Sequence, residues 1–211
     1  MVLRMLHTNQ LIIIGGPSCA GKSFLIKRIQ QGELPRLCGQ LGILNPSSWR
    51  YVLAAGLKHI DQQIVERLVV HYDFYSQQSK ENEFNHLCKL IDNSDRIIVV
   101  TLNVPRSILV KRNNSRILKY YLIYLLSFIG VKRKNQWNKS LPNRIHYLWK
   151  KRKVYKHGES DLLYERWFKY LDQFNEIDHW LLDYSESHTM SAYPYKTDKL
   201  CFSDVQEVID S

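Results

Sequence analysis

Leu11-Ile12-Ile13-Ile14-Gly15-Gly16-Pro17-Ser18-Cys19-Ala20-Gly21-Lys22-Ser23 joins two different patterns. The first four residues are an apolar run with no polar face, which predicts a strand buried on both sides. Gly15-Gly16 ends it. From Lys22 to Gln31 the apolar residues Phe24, Leu25, Ile26 and Ile29 fall on one helical face, closed by Gly32. The residues between strand and helix keep the spacing G-x-x-x-x-G-K-S without a gap. Small residues let the backbone curl so that successive amides point inward at an anion. Lys22 adds a point charge, and the Ser23 hydroxyl suits magnesium. The helix start contributes its dipole and its free amides to the same anion. Gly16, Pro17, Ser18, Cys19, Ala20, Gly21, Lys22 and Ser23 therefore predict a binding site for a nucleoside triphosphate, with ATP and Mg2+ as the expected ligands.

With these residues the chain resembles the P-loop NTPases, and the loop is similar to those of nucleotide and small-molecule kinases, guanylate-kinase-like loops among them. Cys19 stands where such loops often have glycine. The close resemblance covers residues 10–31; beyond that only the order of elements is similar. It implies an α/β fold, a three-layer parallel sheet carrying the loop, and transfer of the γ-phosphate of ATP to an acceptor.

Outward from the loop, strands are expected at Arg67–Tyr72, Ile97–Leu102 and Trp180–Tyr184, making four with the first. Helices are expected at Lys80–Asp92, from Pro105 through Arg116, and over Asp161–Phe174. Residues 34–44, with Pro35 and two glycines, read as irregular. Ser47 or Ser48 reads as the cap of a helix beginning near Trp49. Ser203-Asp204-Val205-Gln206 has the form of a capping box opening a short terminal helix. Strands alternating with helices predict crossover units and a mainly parallel sheet.

Leu68-Val69-Val70-His71-Tyr72-Asp73 is a mostly apolar run ending in an acid, as expected of a carboxylate at the C-terminal end of a buried strand. In kinases of the resembled kind an acid there orients magnesium or accepts the acceptor's proton. Asp73 is thus a catalytic and metal-site candidate beside Ser23, and a turn-capping role is its structural alternative. The Ile97–Leu102 run leads to Asn103, where a Walker B motif would hold an acid, and this places more weight on Asp73. Asp183 and His71 read as structural, and Tyr164, Trp167, Phe168 and Leu171 read as core. Arg112 and Arg116, four apart and so on one helical face, occupy the place of lid arginines in the resembled kinases. There they would join Lys22 in neutralising the transferred phosphoryl group; a solvated basic face is the alternative.

The net charge of +10 over 211 residues is concentrated in one segment. Ile97–Gly158 contains 15 Lys or Arg and no Asp or Glu, which leaves the rest with 15 basic against 20 acidic residues. Such asymmetry points to an anionic partner: a small-molecule or nucleotide acceptor, or a nucleic acid or anionic membrane surface met by residues 106–156. The segment is expected to form a basic, helical, lid-like insertion at about 117–157 within a single domain spanning residues 1–211.

Ile117–Val131 is 15 residues long and holds Lys119, short of the ~20 apolar residues of a membrane-crossing helix, so no transmembrane span is expected. No secretory leader is expected in Met1–Gln10. Cys19, Cys38, Cys88 and Cys201 are scattered, with no zinc-like spacing, and a reducing cytoplasm fits them. The leading expectation is a nucleotide- or small-molecule kinase. A sulfotransferase-like protein, a polynucleotide-end kinase and a non-catalytic nucleotide-gated binding module are the rivals.

Overall fold

β1 (Thr8–Gly16) is the middle strand of a five-stranded, all-parallel sheet, flanked by β3 (Arg67–Asp73) and β4 (Ser94–Asn103). β2 (Arg50–Leu53) pairs outside β3, and β5 (Ile177–Asp183) outside β4. This arrangement is an α/β fold. The computed structural model describes residues 7–59, 65–74, 81–128, 137–157, 159–174 and 176–183; the expected terminal helix from Ser203 lies outside them. Leu11 through Ile14 are all fully buried, as their unbroken apolar run predicts for a central parallel strand.

The α-helices among the described residues are α1 (Lys22–Gln30), α2 (Pro35–Gln40), α3 (Glu81–Asp92), α4 (Arg106–Phe128), α5 (Trp137–Lys156) and α6 (Glu159–Leu171), with a 3-10 helix over Ala54–His59. They correct three expectations. Residues 34–44 are not irregular: Pro35 sits in the first turn of α2, where its missing amide costs nothing, and Gly42 ends the segment at φ 72°. No helix begins near Trp49. Asn45, rather than a serine, caps a single 3-10 turn over Pro46–Ser48, and Trp49 is already extended. Arg50–Leu53 then pairs with Leu68–His71, so the described residues hold five strands rather than four. Finally, the helix expected to reach Arg116 continues to Phe128, since no Gly or Pro interrupts it.

The chain falls into two units, Met1–Asn103 with Leu163–Ser211, and Val104–Leu162. The first holds the sheet. Its core includes an aromatic cluster: Trp167 stacks on Tyr72 at 5.1 Å and lies 5.0 Å from Phe74, which meets Tyr164 edge-on at 5.4 Å. Tyr164, Trp167, Phe168 and Leu171 are all buried, as expected of a core stripe. Trp167 Nε1 donates to Thr101 Oγ1 at 2.9 Å, and Tyr164 OH donates to the Leu102 carbonyl at 2.9 Å.

The second unit contains α4 and α5. Arg106 Nε donates to the Tyr155 carbonyl and Asn113 Nδ2 to the Leu148 carbonyl. As one position rises the other falls by the same step, so the two helices run antiparallel.

Register brings the strand ends together. Gly16 lies opposite Asp73, Gly15 opposite Thr101, and Asn103 opposite Asp183. The chain leaves β1 toward β2 but leaves β3 toward β4, in opposite directions along the sheet. With right-handed crossovers, neighbouring strands of this kind leave a crevice at their C-terminal ends, where open α/β sheets hold ligands. No helix among the described residues is long and apolar enough to cross a membrane.

Candidate functional site

The Gly16–Ser23 loop leaves β1 at this C-terminal end of the sheet. Close approach requires glycine at position 15 and leaves little room at position 16. A Cβ on Gly15 would stand 2.9 Å from Phe74 Cε1, and one on Gly16 would stand 3.3 Å from the Leu102 carbonyl oxygen. Phe74 is fully buried in the aromatic cluster and cannot yield. The rings thus form a floor directly beneath the start of the loop.

The loop turns through two left-handed residues, Cys19 at φ 72° and Gly21 at φ 100°. The second is glycine, which takes this conformation without strain. Cys19 is not, and a side chain held there costs ~1–2 kcal/mol. Ala20 N–H donates to the Pro17 carbonyl at 3.2 Å within the same bend. Gly21 then forms the N-cap of α1. It offers no side chain to the first amides, and no acidic residue stands in the first turn. That helix start is suited to an anion, by its dipole and by the direction of its amides. Ser23 is exposed in the same turn.

Lys22 is the second residue of note. Its side chain is 3% exposed, and buried lysines are rare unless partnered. Nζ donates to the Gly16 carbonyl at 2.7 Å and to the Pro17 carbonyl at 2.6 Å, and it lies 3.9 Å from Asp73 Oδ2. The Gly16 carbonyl also accepts from Phe74 N–H at 3.1 Å. One oxygen therefore ties the end of β1, the end of β3 and the start of α1 together. Asp73 keeps a partly exposed carboxylate, 26% open.

Gly16, Lys22, Ser23 and Asp73, expected from sequence to share a site, thus converge on one end of the sheet. Arg112 and Arg116 lie one turn apart on α4, in the second unit, Arg112 half-buried and Arg116 exposed. The grouping made by strand register does not extend to them. His71 is half-buried on β3. Two supporting residues carry little sequence signal: Phe74 and Thr101, which take their places from strand register and the position of Trp167.

Chemically, the arrangement offers a helix start without a side-chain cap, a held ammonium, a hydroxyl and a partly exposed carboxylate at one end of the sheet. Such a set can hold a phosphate chain and a divalent cation. Compared with known protein families, with characterised proteins and with solved structures, the chain matches none.

Proposed function

We propose that this chain is a P-loop nucleotide-binding protein of three-layer architecture, and that it acts as an ATP-dependent phosphotransferase on a small or nucleotide-like acceptor. The observation that carries the reading is the placement of Lys22. Its ammonium rests on the Gly16 and Pro17 carbonyls beside the uncapped start of α1, with Asp73 3.9 Å away. The amides from Gly16 to Ser23 would receive the phosphates. Lys22 would exchange its two carbonyl contacts for the outer phosphate oxygens, an ion pair in place of contacts to neutral acceptors.

The donor set also fits magnesium, since hard oxygen ligands from a hydroxyl and a carboxylate suit it. Ser23 and Asp73 are the residues that would hold it. Bound there, the cation supplies charge neutralisation to the phosphates. Asp73 is further assigned to orienting or deprotonating the acceptor. Arg112 and Arg116 remain assigned to charge neutralisation by resemblance alone. The 15 cations of Ile97–Gly158, with no acid among them, support an anionic acceptor, and a cytoplasmic setting is part of the reading.

The test is ATP consumption by the purified chain against panels of nucleosides, nucleotides, sugars and oligonucleotides. The proposal expects ADP release that depends on one acceptor class and on magnesium. ATP binding without transfer to any acceptor would leave a nucleotide-gated binding module instead.

A further inference from the structure

We infer that the second unit carries a docking face for anionic lipid bilayers, formed by one stripe of α4 and the adjoining surface of α5. This goes beyond the proposed phosphotransfer and does not rest on it. Leu118, Tyr121, Leu122, Leu125 and Leu126 follow the spacing i, i+3, i+4, i+7, i+8, the repeat of a single helical face. All five are exposed, Leu118 at 62%. The opposite side of the same helix is buried at Leu109, Asn113 and Ile117. α4 is therefore apolar on two sides, and only one is covered among the described residues.

The stripe continues onto α5. A shallow groove is lined by Asn114, Ile117, Leu118, Tyr121, Trp149 and Arg152. Trp149 is 42% exposed, and the Arg152 guanidinium lies 4.8 Å from its ring centroid. Arg152 Nε is shielded from solvent and has no hydrogen-bond acceptor among the described residues. A buried donor of this kind needs an acceptor, and a phosphate oxygen would supply one. Lys119, Lys150 and Lys153 stand exposed on these two helices, and no acid lies anywhere between Ile97 and Gly158.

Charge complementarity selects the occupant. A leucine stripe beside Trp, Tyr and a field of cations is the composition of helices that lie in the headgroup region of anionic membranes. Nucleic acid would use the cations and the rings but gains nothing from four exposed leucines. A bilayer with anionic headgroups uses both layers at once, with the aliphatic stems of the lysines spanning them. Since no described helix can cross a membrane, the contact is a surface one.

The experiment is co-sedimentation of the full chain with phosphatidylcholine vesicles, with and without ~30% phosphatidylserine, at physiological salt. Two variants accompany it: Leu118→Ser/Leu122→Ser/Leu125→Ser, and Lys119→Gln/Lys150→Gln/Lys153→Gln. All six side chains are exposed, so thermal unfolding should match wild type in both. The inference expects binding to the anionic vesicles and little to the neutral ones. Each triple variant should weaken it by about tenfold or more, the serine variant doing so with every charge intact. Three results would overturn it: no binding of wild type to either vesicle, binding indifferent to the leucines, or a leucine-dependent dimer without lipid binding. Salt-dependent oligonucleotide binding in the absence of vesicle binding would likewise replace the bilayer with nucleic acid.

Discussion

Lys22 Nζ lies 3.9 Å from Asp73 Oδ2, the lysine side chain buried and the carboxylate 26% exposed. The two come from different elements, and only the β1–β3 register, which sets Gly16 opposite Asp73, brings them together. The ammonium donates to two backbone carbonyls, and the carboxylate beside it is partly exposed to solvent. Asp73→Asn keeps this shape and removes charge and basicity. The expected result is turnover reduced by ~10²–10⁴ with ATP affinity changed much less. Steady-state kinetics beside calorimetric titration separates the two effects. Unchanged turnover, or loss of the folded state, would assign Asp73 to structure alone.

Cys19 at φ 72° stores strain in the loop. Cys19→Gly removes ~1–2 kcal/mol of left-handed cost and gives back ~0.5–1 kcal/mol through the freer unfolded chain. A net gain of about 0.5–1 kcal/mol is expected, or roughly 1–4 °C in melting temperature for a protein of this size. Differential scanning calorimetry measures it. A drop in melting temperature would mean that contacts of the thiol outweigh the strain.

His179 is buried, with Nε2 2.8 Å from Thr101 Oγ1. That oxygen also accepts the Trp167 N–H, so the ring is tied into a buried hydrogen-bond network. Burial pushes the imidazole down from 6.5 to about 4, with Asp172 opposing in part. The folded value lies below the unfolded one, so the unfolded chain binds the extra proton between these limits. Stability is therefore complete above pH ~6.5 and declines as pH falls toward ~4, by up to roughly 3 kcal/mol. Urea midpoints measured at pH 7.5, 5.5 and 4.5 should show this decline. His179→Gln, whatever its baseline, should flatten it; an equally steep dependence would place the titrating group elsewhere.

Much of the site could be read before any coordinates, because its signals are local. Leu11–Ile14 and Leu68–Val70 are unbroken apolar runs whose burial follows from composition, and Gly21-Lys22-Ser23 has few other uses between a strand and a helix. What escaped was set by distant partners or by weak local signals. β2 has only four residues, none of them fully buried, so nothing in Arg50–Leu53 marks it until Leu68–His71 is beside it. α2 was hidden by Pro35 and Gly39, which usually break helices but here sit at the first turn and at a harmless surface position. The strand order depends on crossovers that no local pattern encodes. The inward fold of Lys22 onto the Gly16 and Pro17 carbonyls likewise has no sequence signature.

The central claim is that Gly16–Ser23 holds a nucleoside triphosphate through Lys22. Isothermal titration with ATP and magnesium, wild type beside Lys22→Met, tests it most directly, since methionine keeps the buried stem and removes only the charge. Melting curves first establish that both are folded. Loss of a charge-assisted contact is worth ~1.5–3 kcal/mol, so the account predicts saturable binding by wild type, weakened about tenfold to a hundredfold in the variant. Equal affinities, or a folded wild type that takes up no ATP, would contradict it.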